Sequence, residues 1–398
     1  EETKEWFDTY PRGSERFPIV NLSIKISALY SQISPADPEE AIQHLSARLR
    51  PILRRARELG AFVNFDMESY ALKNMTLQLF KSVLSEPEFV DWPHAGIVVQ
   101  AYLRESENDL RELLDWGHNR RTPFGIRLVK GAYWDFERII AEQKGWPAPV
   151  FEQKAETDHN YERLSNVLLE NVDLIIPAFG SHNVRSIAHA QVRAEQLRIP
   201  RGHFEFQLLY GMAGPVKQSL VELGYRVREY CPVGKLLPGM AYLVRRLIEN
   251  TSNEGFLRAK FAEHVSTSEL LRDPEELINR EFREPNPRDF RNASLANFAH
   301  AEVRDQMREG LRQIRSRLGG KYPLIIDGRE VVTGTVIPSV NPAAPEETIG
   351  TVCAAEVAEA EETVKAARRA FASWRLVPAA ERAAILDKAA AIMERRRF

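Results

Sequence analysis

Short apolar or β-branched runs recur along the first 230 residues, each followed by a longer stretch of helical periodicity, and this alternation restricts the possible folds most. The runs read PIVNLSIKISAL, AFVNFDM, GIVVQAYL, FGIRLVKGAYW, DLIIPAFGSH, FEFQLLYGM and YRVREYCPVG. Helices are expected at 38–59, 69–84, 106–119, 158–170, 183–197 and 213–223, with 239–250 closing the series. Strands separated by helices cannot pair through tight antiparallel turns, so they enter the sheet in parallel. The expected fold class is therefore α/β, a TIM-like (βα)8 barrel whose first strand would lie before Glu1, since the runs are one short of the eight a barrel needs.

The strand rhythm stops near residue 255. REPNPRDFRN at 283–292 is a Pro-punctuated connector, 293–318 is a charged helical stretch, and a second domain begins near KYPLIIDGREVV. Two Ala-rich helices follow at about 356–371 and 378–396. The expected organisation is a barrel over 1–262, a helical linker over 263–320 and a second domain over 321–398.

Composition excludes several function classes. A formal charge of -2 advertises neither a nucleic acid nor an acidic membrane as partner. Cys231 and Cys353 lie far apart, which argues against a disulfide framework and for a reducing, cytosolic setting. No apolar run approaches the roughly 18 residues of a spanning helix. The phosphate-binding and nucleophile-elbow motifs GxGxxG, GxxxxGK[ST] and GxSxG do not occur.

The runs end in polar or ring-bearing residues: Lys25 and Ser27, Asp66 and Glu68, Gln100 and Tyr102, Arg127 and Lys130, His182 and Asn183, Gln207, and Tyr230. In a parallel barrel these strand ends share one rim, where sites are built. Lys25 alternates with Ile24 and Ile26, which turns it to the barrel interior or lets it snorkel out of the end. Asp66 is either a helix cap or, with cations nearby, an ion-pair partner. IRLVKGAYWD combines Arg127, Lys130, Gly131, Tyr133 and Trp134, a set suited to a large, planar, anionic ligand, although a basic strand end beside core aromatics has the same composition. In AYLVRRLIEN, Tyr242, Arg245 or Arg246, and Glu249 share one helix face, which fits bidentate capture of a carboxylate or a surface ladder in which Glu249 pairs with an arginine. His182 has no companion ligands at metal spacing, so no metal site is expected.

These motifs, SIKISAL, NFDMESY, VVQAY, IRLVKGAYWD, FEFQLLYGM, YCPVG and YLVRRLIEN, resemble in order and spacing the proline dehydrogenase barrel of the bifunctional proline utilization A enzymes, over roughly residues 18–260. Residues 321–398, with YPLIIDGREV, SVNPAAP, AARRAFASWR and ERAAIL, are similar to the start of an aldehyde dehydrogenase domain. The resemblance implies FAD at the strand rim and oxidation of L-proline to pyrroline-5-carboxylate. It also implies electron transfer to a membrane quinone and NAD-dependent oxidation of glutamate semialdehyde in the completed second domain.

By motif, Arg245, Arg246 and Lys25 would clamp the proline carboxylate, Glu249 and Asp66 would hold those cations, and Tyr230, Tyr242 and Leu209 would wall the ring. Arg127 would donate toward the flavin. Gln100, Lys130, Gly131, Ala132, Trp134, Lys154, Thr157, Ser181, His182, Asn183 and Gln207 fall where the family contacts FAD, and Phe256 at its adenine end. Ser181 stands where Thr is usual and Glu152 where a hydroxyl residue is common. Cys353 lies too early in the second domain to be its nucleophile. A homo-oligomer, cytoplasmic and peripheral at the inner membrane, is the implied setting. The rival readings are another flavin barrel resembling methylenetetrahydrofolate reductase, and a scaffold without catalysis.

Overall fold

The computed structural model describes residues 18–234, 239–240, 242–244, 266, 268, 271–278 and 292–398. The chain divides into two compact units, Glu1–Ala299 and His300–Phe398.

The first unit holds seven strands: β1 (Asn21–Ile24), β2 (Phe62–Phe65), β3 (Ala95–Gln100), β4 (Phe124–Val129), β5 (Ile175–Gly180), β6 (Glu205–Leu209) and β7 (Arg226–Tyr230). They form one sheet in sequence order with every pairing parallel. Between them run α1 (Ile26–Leu29), α2 (Pro38–Glu58), α3 (Tyr70–Leu84), α4 (Ser106–Arg120), α5 (Trp134–Lys144), α6 (Lys154–Glu170), α7 (Val184–Gln196) and α8 (Gly214–Glu222). Helix α2 shows why these segments fold locally. Asp37 caps it by accepting from the Glu40 amide, Pro38 occupies its first turn, and Arg55 and Arg57 oppose the dipole at its end. Its buried stripe, Ala41, Leu45, Leu49, Leu53 and Ala56, recurs every three or four residues and packs into the main core.

Alternate strand residues take opposite faces. Val63, Phe65, Ile97, Ile126, Leu128, Phe206 and Leu208 join the core between sheet and helices. The other face curls inward until β7 meets the start of β1, where the Arg228 guanidinium donates to the carbonyls of Ile19 (2.8 Å) and Pro18 (3.0 Å). Buried Glu205 grips the same guanidinium from β6 at 2.9 and 3.1 Å. Inside the curl, Phe62 packs with Ile176. The ring fits because Gly125 and Gly96 face it: a Cβ on either would stand 2.5 or 2.9 Å from a Phe62 ring carbon. What space remains is a cavity of about 10 Å³ bordered by Asn21, Asn64, Gln207 and Arg228.

Two sequence expectations change. Strand β1 ends at Ile24, and Lys25 is the N-cap of α1, so strand alternation does not orient Lys25 against Ile26. Trp134, expected as the tail of the run FGIRLVKGAYW, is the first residue of α5. Only Gly239–Met240 and Tyr242–Val244 of the expected 239–250 helix are described, and they are helical; Arg245, Arg246, Glu249 and Phe256 lie outside the described residues, as does the 283–291 part of the expected connector.

The second unit contains α9 (Ala301–Arg315), β8 (Gly320–Tyr322), β9 (Leu324–Ile326), β10 (Arg329–Val331), β11 (Val336–Asn341), β12 (Ala344–Cys353), α10 (Val357–Trp374) and α11 (Ala379–Arg395). Strand β12 pairs antiparallel with β11 and parallel with β8, while β9 and β10 form a separate hairpin. Few of its apolar side chains are buried, chiefly Ile326, Cys353 and Ala366.

Packing around Phe62 yields a direct test. Gly125→Ala should lower stability by roughly 1–3 kcal/mol through overpacking, and Phe62→Leu should recover part of that loss. Urea unfolding of the single and double variants measures both.

Candidate active site

The strand ends bring a cation and an anion together inside the curl. Arg127, at the middle of β4, donates from Nη1 to Asp66 Oδ1 at 2.6 Å and from Nη2 to Ser23 Oγ at 3.0 Å. Asp66 follows β2, its backbone amide bound to the Ile24 carbonyl at 2.8 Å. Its other carboxylate oxygen accepts from the Tyr230 phenol at 2.9 Å, and Asn64 adds a long 3.4 Å contact. The Arg127 guanidinium also lies 5.5 Å from the Tyr230 ring centroid, and Tyr242 stacks on Tyr230 at 6.1 Å. Both charged side chains are about nine-tenths buried. Their placement requires this dense pairing, because an uncompensated charge there would cost several kcal/mol. Burial, and then the neighbouring Asp66 charge, pushes the Tyr230 phenol well above its usual range, so it remains a donor.

A second polar group lines the rim at β3 to β6. Asp158 on α6 binds Lys130 and, at 2.7 Å, Lys154. Burial works to raise the Asp158 carboxyl, but the two ammoniums outweigh it and hold it below the usual range. Burial pushes Lys130 downward against the attraction of Asp158. His182 Nε2 accepts from the Leu209 amide at 2.9 Å, which ties the ends of β5 and β6 together. Asn183 caps α7 by accepting from the Arg185 and Ser186 amides, and Ser181 Oγ accepts from the Asn183 amide. Gln207 donates to Glu205. Thr157 is buried and Ala132 exposed. Gly131 has a φ of +136°, and a Cβ there would fall 2.4 Å from the Tyr102 ring, so only glycine fits. The Trp134 indole donates to the Phe151 carbonyl at 2.7 Å and packs with Tyr70, Tyr102, Leu103 and Val150.

The implied flavin cofactor can be tested against these residues. The buried polar atoms without a hydrogen-bond partner include the acceptor Gln100 Oε1 at the end of β3, the Tyr102 hydroxyl just beyond it and the donor Arg127 Nε within β4. Such orphans are rare without a ligand to satisfy them. An unpaired acceptor and donor, with the Lys130 and Lys154 ammoniums farther along the rim, fit a planar group carrying hydrogen-bonding edges and an anionic tail. The second unit is different: its residues include no phosphate-binding turn and no placed nucleophile, so no step can be derived there through NAD.

Asp66 does not hold Lys25, as the sequence suggested, because its carboxylate is committed to Arg127 and Tyr230. The half-buried Lys25 ammonium has no partner among the described residues. Arg245, Arg246, Glu249 and Phe256 are not described. The sequence reading missed Ser23, Asn64 and Asp158. Asp158 is four residues after Lys154 on one helix face, so that periodicity carried a signal.

The family described as Proline dehydrogenase matches residues 2–259, and the aldehyde dehydrogenase family matches residues 330–398. The bifunctional protein PutA of Klebsiella aerogenes is 33% identical over 394 residues, which covers 94% of this chain and 30% of that protein. This chain therefore spans about a third of the length of such relatives. Proline dehydrogenase 2 of Bacillus subtilis is 30% identical over 256 residues, covering 64% of this chain and 74% of that protein. A crystal structure of proline utilization A from Bdellovibrio bacteriovorus, inactivated by N-propargylglycine, superposes with a TM-score of 0.92 at 45% identity, covering 99% of this chain and 42% of that one.

Two outcomes follow from the ion pairs. Asp66→Ala, which strands Arg127 in the interior, should destabilise by about 3–5 kcal/mol, and Asp66→Asn by less, as read from urea midpoints. Glu162 on α6, bound to Arg185 at 2.8 and 3.0 Å and to His189 at 3.2 Å, is held at about 2 because those partners overcome the effect of burial. Its folded pKa is depressed, so its contribution is present above the ordinary carboxylate pKa and is lost as pH falls from about 4.5 toward about 2. Glu162→Gln should flatten the acid limb of the stability profile by roughly 2–3 kcal/mol, measured by unfolding between these limits.

Proposed function

The chain belongs to the proline dehydrogenase family, and from that premise we propose that it oxidises L-proline to pyrroline-5-carboxylate with FAD as hydride acceptor. The carrying observation is the buried Arg127, fixed by Asp66 and Ser23 beside Tyr230, with one donor unsatisfied.

In this reading a TIM-like (βα)8 barrel occupies 1–262, followed by a linker over 263–320 and an aldehyde dehydrogenase-like domain over 321–398. The complete protein passes electrons to a membrane quinone and uses NAD to oxidise glutamate semialdehyde. It acts as a homo-oligomer in the cytoplasm, peripheral at the inner membrane. Among the described residues no helix is long and apolar enough to cross a membrane.

Bound FAD supplies the two-electron acceptor. The protein's own residues do the rest. Lys25, with Arg245 and Arg246, binds the proline carboxylate; the partnerless Lys25 ammonium is available for such an anion. Tyr230, Tyr242 and Leu209 wall the ring and exclude water. Anchoring the carboxylate against these walls holds the carbon next to nitrogen in one orientation, an effect worth up to about 7–11 kcal/mol. Asp66, with its carboxylate oxygens engaged by Arg127 and Tyr230, holds the Arg127 guanidinium in place. Tyr230 keeps its proton and serves as wall and donor. The amine reacts unprotonated after losing its proton to solvent. Gln100, Lys130, Gly131, Ala132, Trp134, Lys154, Thr157, Ser181, His182, Asn183, Gln207 and Phe256 are proposed to hold the cofactor.

Anaerobic titration of the FAD-loaded full-length protein with proline should bleach the flavin absorbance, and Arg245→Ala or Arg246→Ala should raise the half-saturating proline concentration at least about tenfold, the scale of a lost charge-assisted contact. A spectrum indifferent to proline would refute the assignment.

A further inference from the structure

Helix α1 begins at Lys25 and spans only Ile26–Leu29, and no side chain of its own caps it. A single turn cannot sustain itself, since the cost of nucleation exceeds the return from so few hydrogen bonds. Three outside contacts hold it. Ile26 is fully buried in the main core. The Ile24 carbonyl accepts from the Asp66 amide at 2.8 Å. Glu68, two residues beyond Asp66, uses both carboxylate oxygens on one residue: Oε1 accepts from Ser27 Oγ at 2.6 Å and Oε2 from the Ser27 amide at 3.2 Å. Glu68 is itself held, because its carbonyl accepts from Gln100 Nε2 at 3.3 Å. The loop after β2 thus brackets Lys25 on both sides.

This double grip has a second effect. A carboxylate held against Ser27, two residues past Lys25, is a natural partner for the Lys25 ammonium, yet Glu68 is committed to Ser27, and Lys25 has no partner among the described residues. We propose that Glu68 is a positioning residue for substrate binding: by clamping Ser27 it fixes the turn that presents Lys25 and keeps that ammonium open to the carboxylate of a small cyclic acid. The inference rests on the reading that Lys25 binds the substrate carboxylate. It adds that the strength of this contact is set by Glu68, and that Gln100 Nε2 links Glu68 mechanically to the cofactor side of the rim.

The test uses cyclopentanecarboxylate, which carries the ring and the acid but no amine to oxidise, titrated calorimetrically into the FAD-loaded full-length protein. Glu68→Ala and Ser27→Ala should each weaken its binding about five- to tenfold, the scale of one charge-assisted hydrogen bond. The double variant should be no weaker than either single one, and in a Lys25→Ala background neither substitution should matter. Glu68→Gln, whose Oε1 can accept from the Ser27 amide while its Nε2 donates to Ser27 Oγ, should recover most of the affinity. Unchanged or tighter binding in Glu68→Ala and Ser27→Ala overturns the proposal, and so does an equal loss with Lys25 already removed. Ser27 is exposed, so its truncation provides the readout even if Glu68→Ala fails to fold. Should Lys25→Ala alone leave binding intact, the clamp reading fails, and this proposal falls with it for a separately identifiable reason.

Discussion

Burying the Arg127 guanidinium inside a curled parallel sheet imposes conditions that much of the first unit exists to meet. Removing such a charge from water costs several kcal/mol, and recovery requires both an opposite charge and hydrogen bonds to the remaining donors. Asp66 provides the charge, Ser23 a second acceptor, and Tyr230 a phenol that keeps Asp66 engaged on its far side. Those partners come from β1, the end of β2 and β7, so one cation in β4 ties together strands that do not pair with it. A shift in any of them would expose a buried charge, which is why the strand ends hold a defined geometry.

Below this layer the interior changes character. Phe62 and Ile176 pack where Gly96 and Gly125 make room, and the Glu205–Arg228 pair reaches the carbonyls of Pro18 and Ile19. Parallel strands buried on both faces are usually apolar on both. Here the outer face obeys that rule and the inner face does not, because polar groups that bind each other can fill the inside of a curled sheet only when nearly all their hydrogen-bonding capacity is used. Gln100 Oε1, at the end of β3, and Arg127 Nε, within β4, are among the few atoms left over.

Beyond the strands, helix starts do the positioning. Asn183 caps α7 next to His182, and Asp158 gathers Lys130 and Lys154 at the first turn of α6. Arg185 joins these helices through Glu162 and also donates to the Leu271 carbonyl at 2.7 Å, so the segment before Pro274 is fastened to the same end of α7. Local capping chemistry and long-range ion pairing therefore converge on a few residues.

The alternation of apolar runs and helical stretches determined the parallel sheet and its strand order, because side-chain periods of 2 and 3.6 are local properties of the backbone. The polar ends of the runs likewise marked Asp66, Arg127, Lys130, His182 and Tyr230 as neighbours, since parallel strands share one rim. Partner choice was not legible. Nothing in NFDMES states that Asp66 takes Arg127 and Tyr230 while Glu68 takes Ser27, nor that Lys25 ends a strand and opens a turn. Strand period alone carried the strand through Lys25, whereas β1 ends at Ile24 and Lys25 is the N-cap of α1. Which polar groups pair depends on distances across the sheet between residues up to 210 positions apart, and only the folded chain sets them, through the curl that brings β7 back to β1.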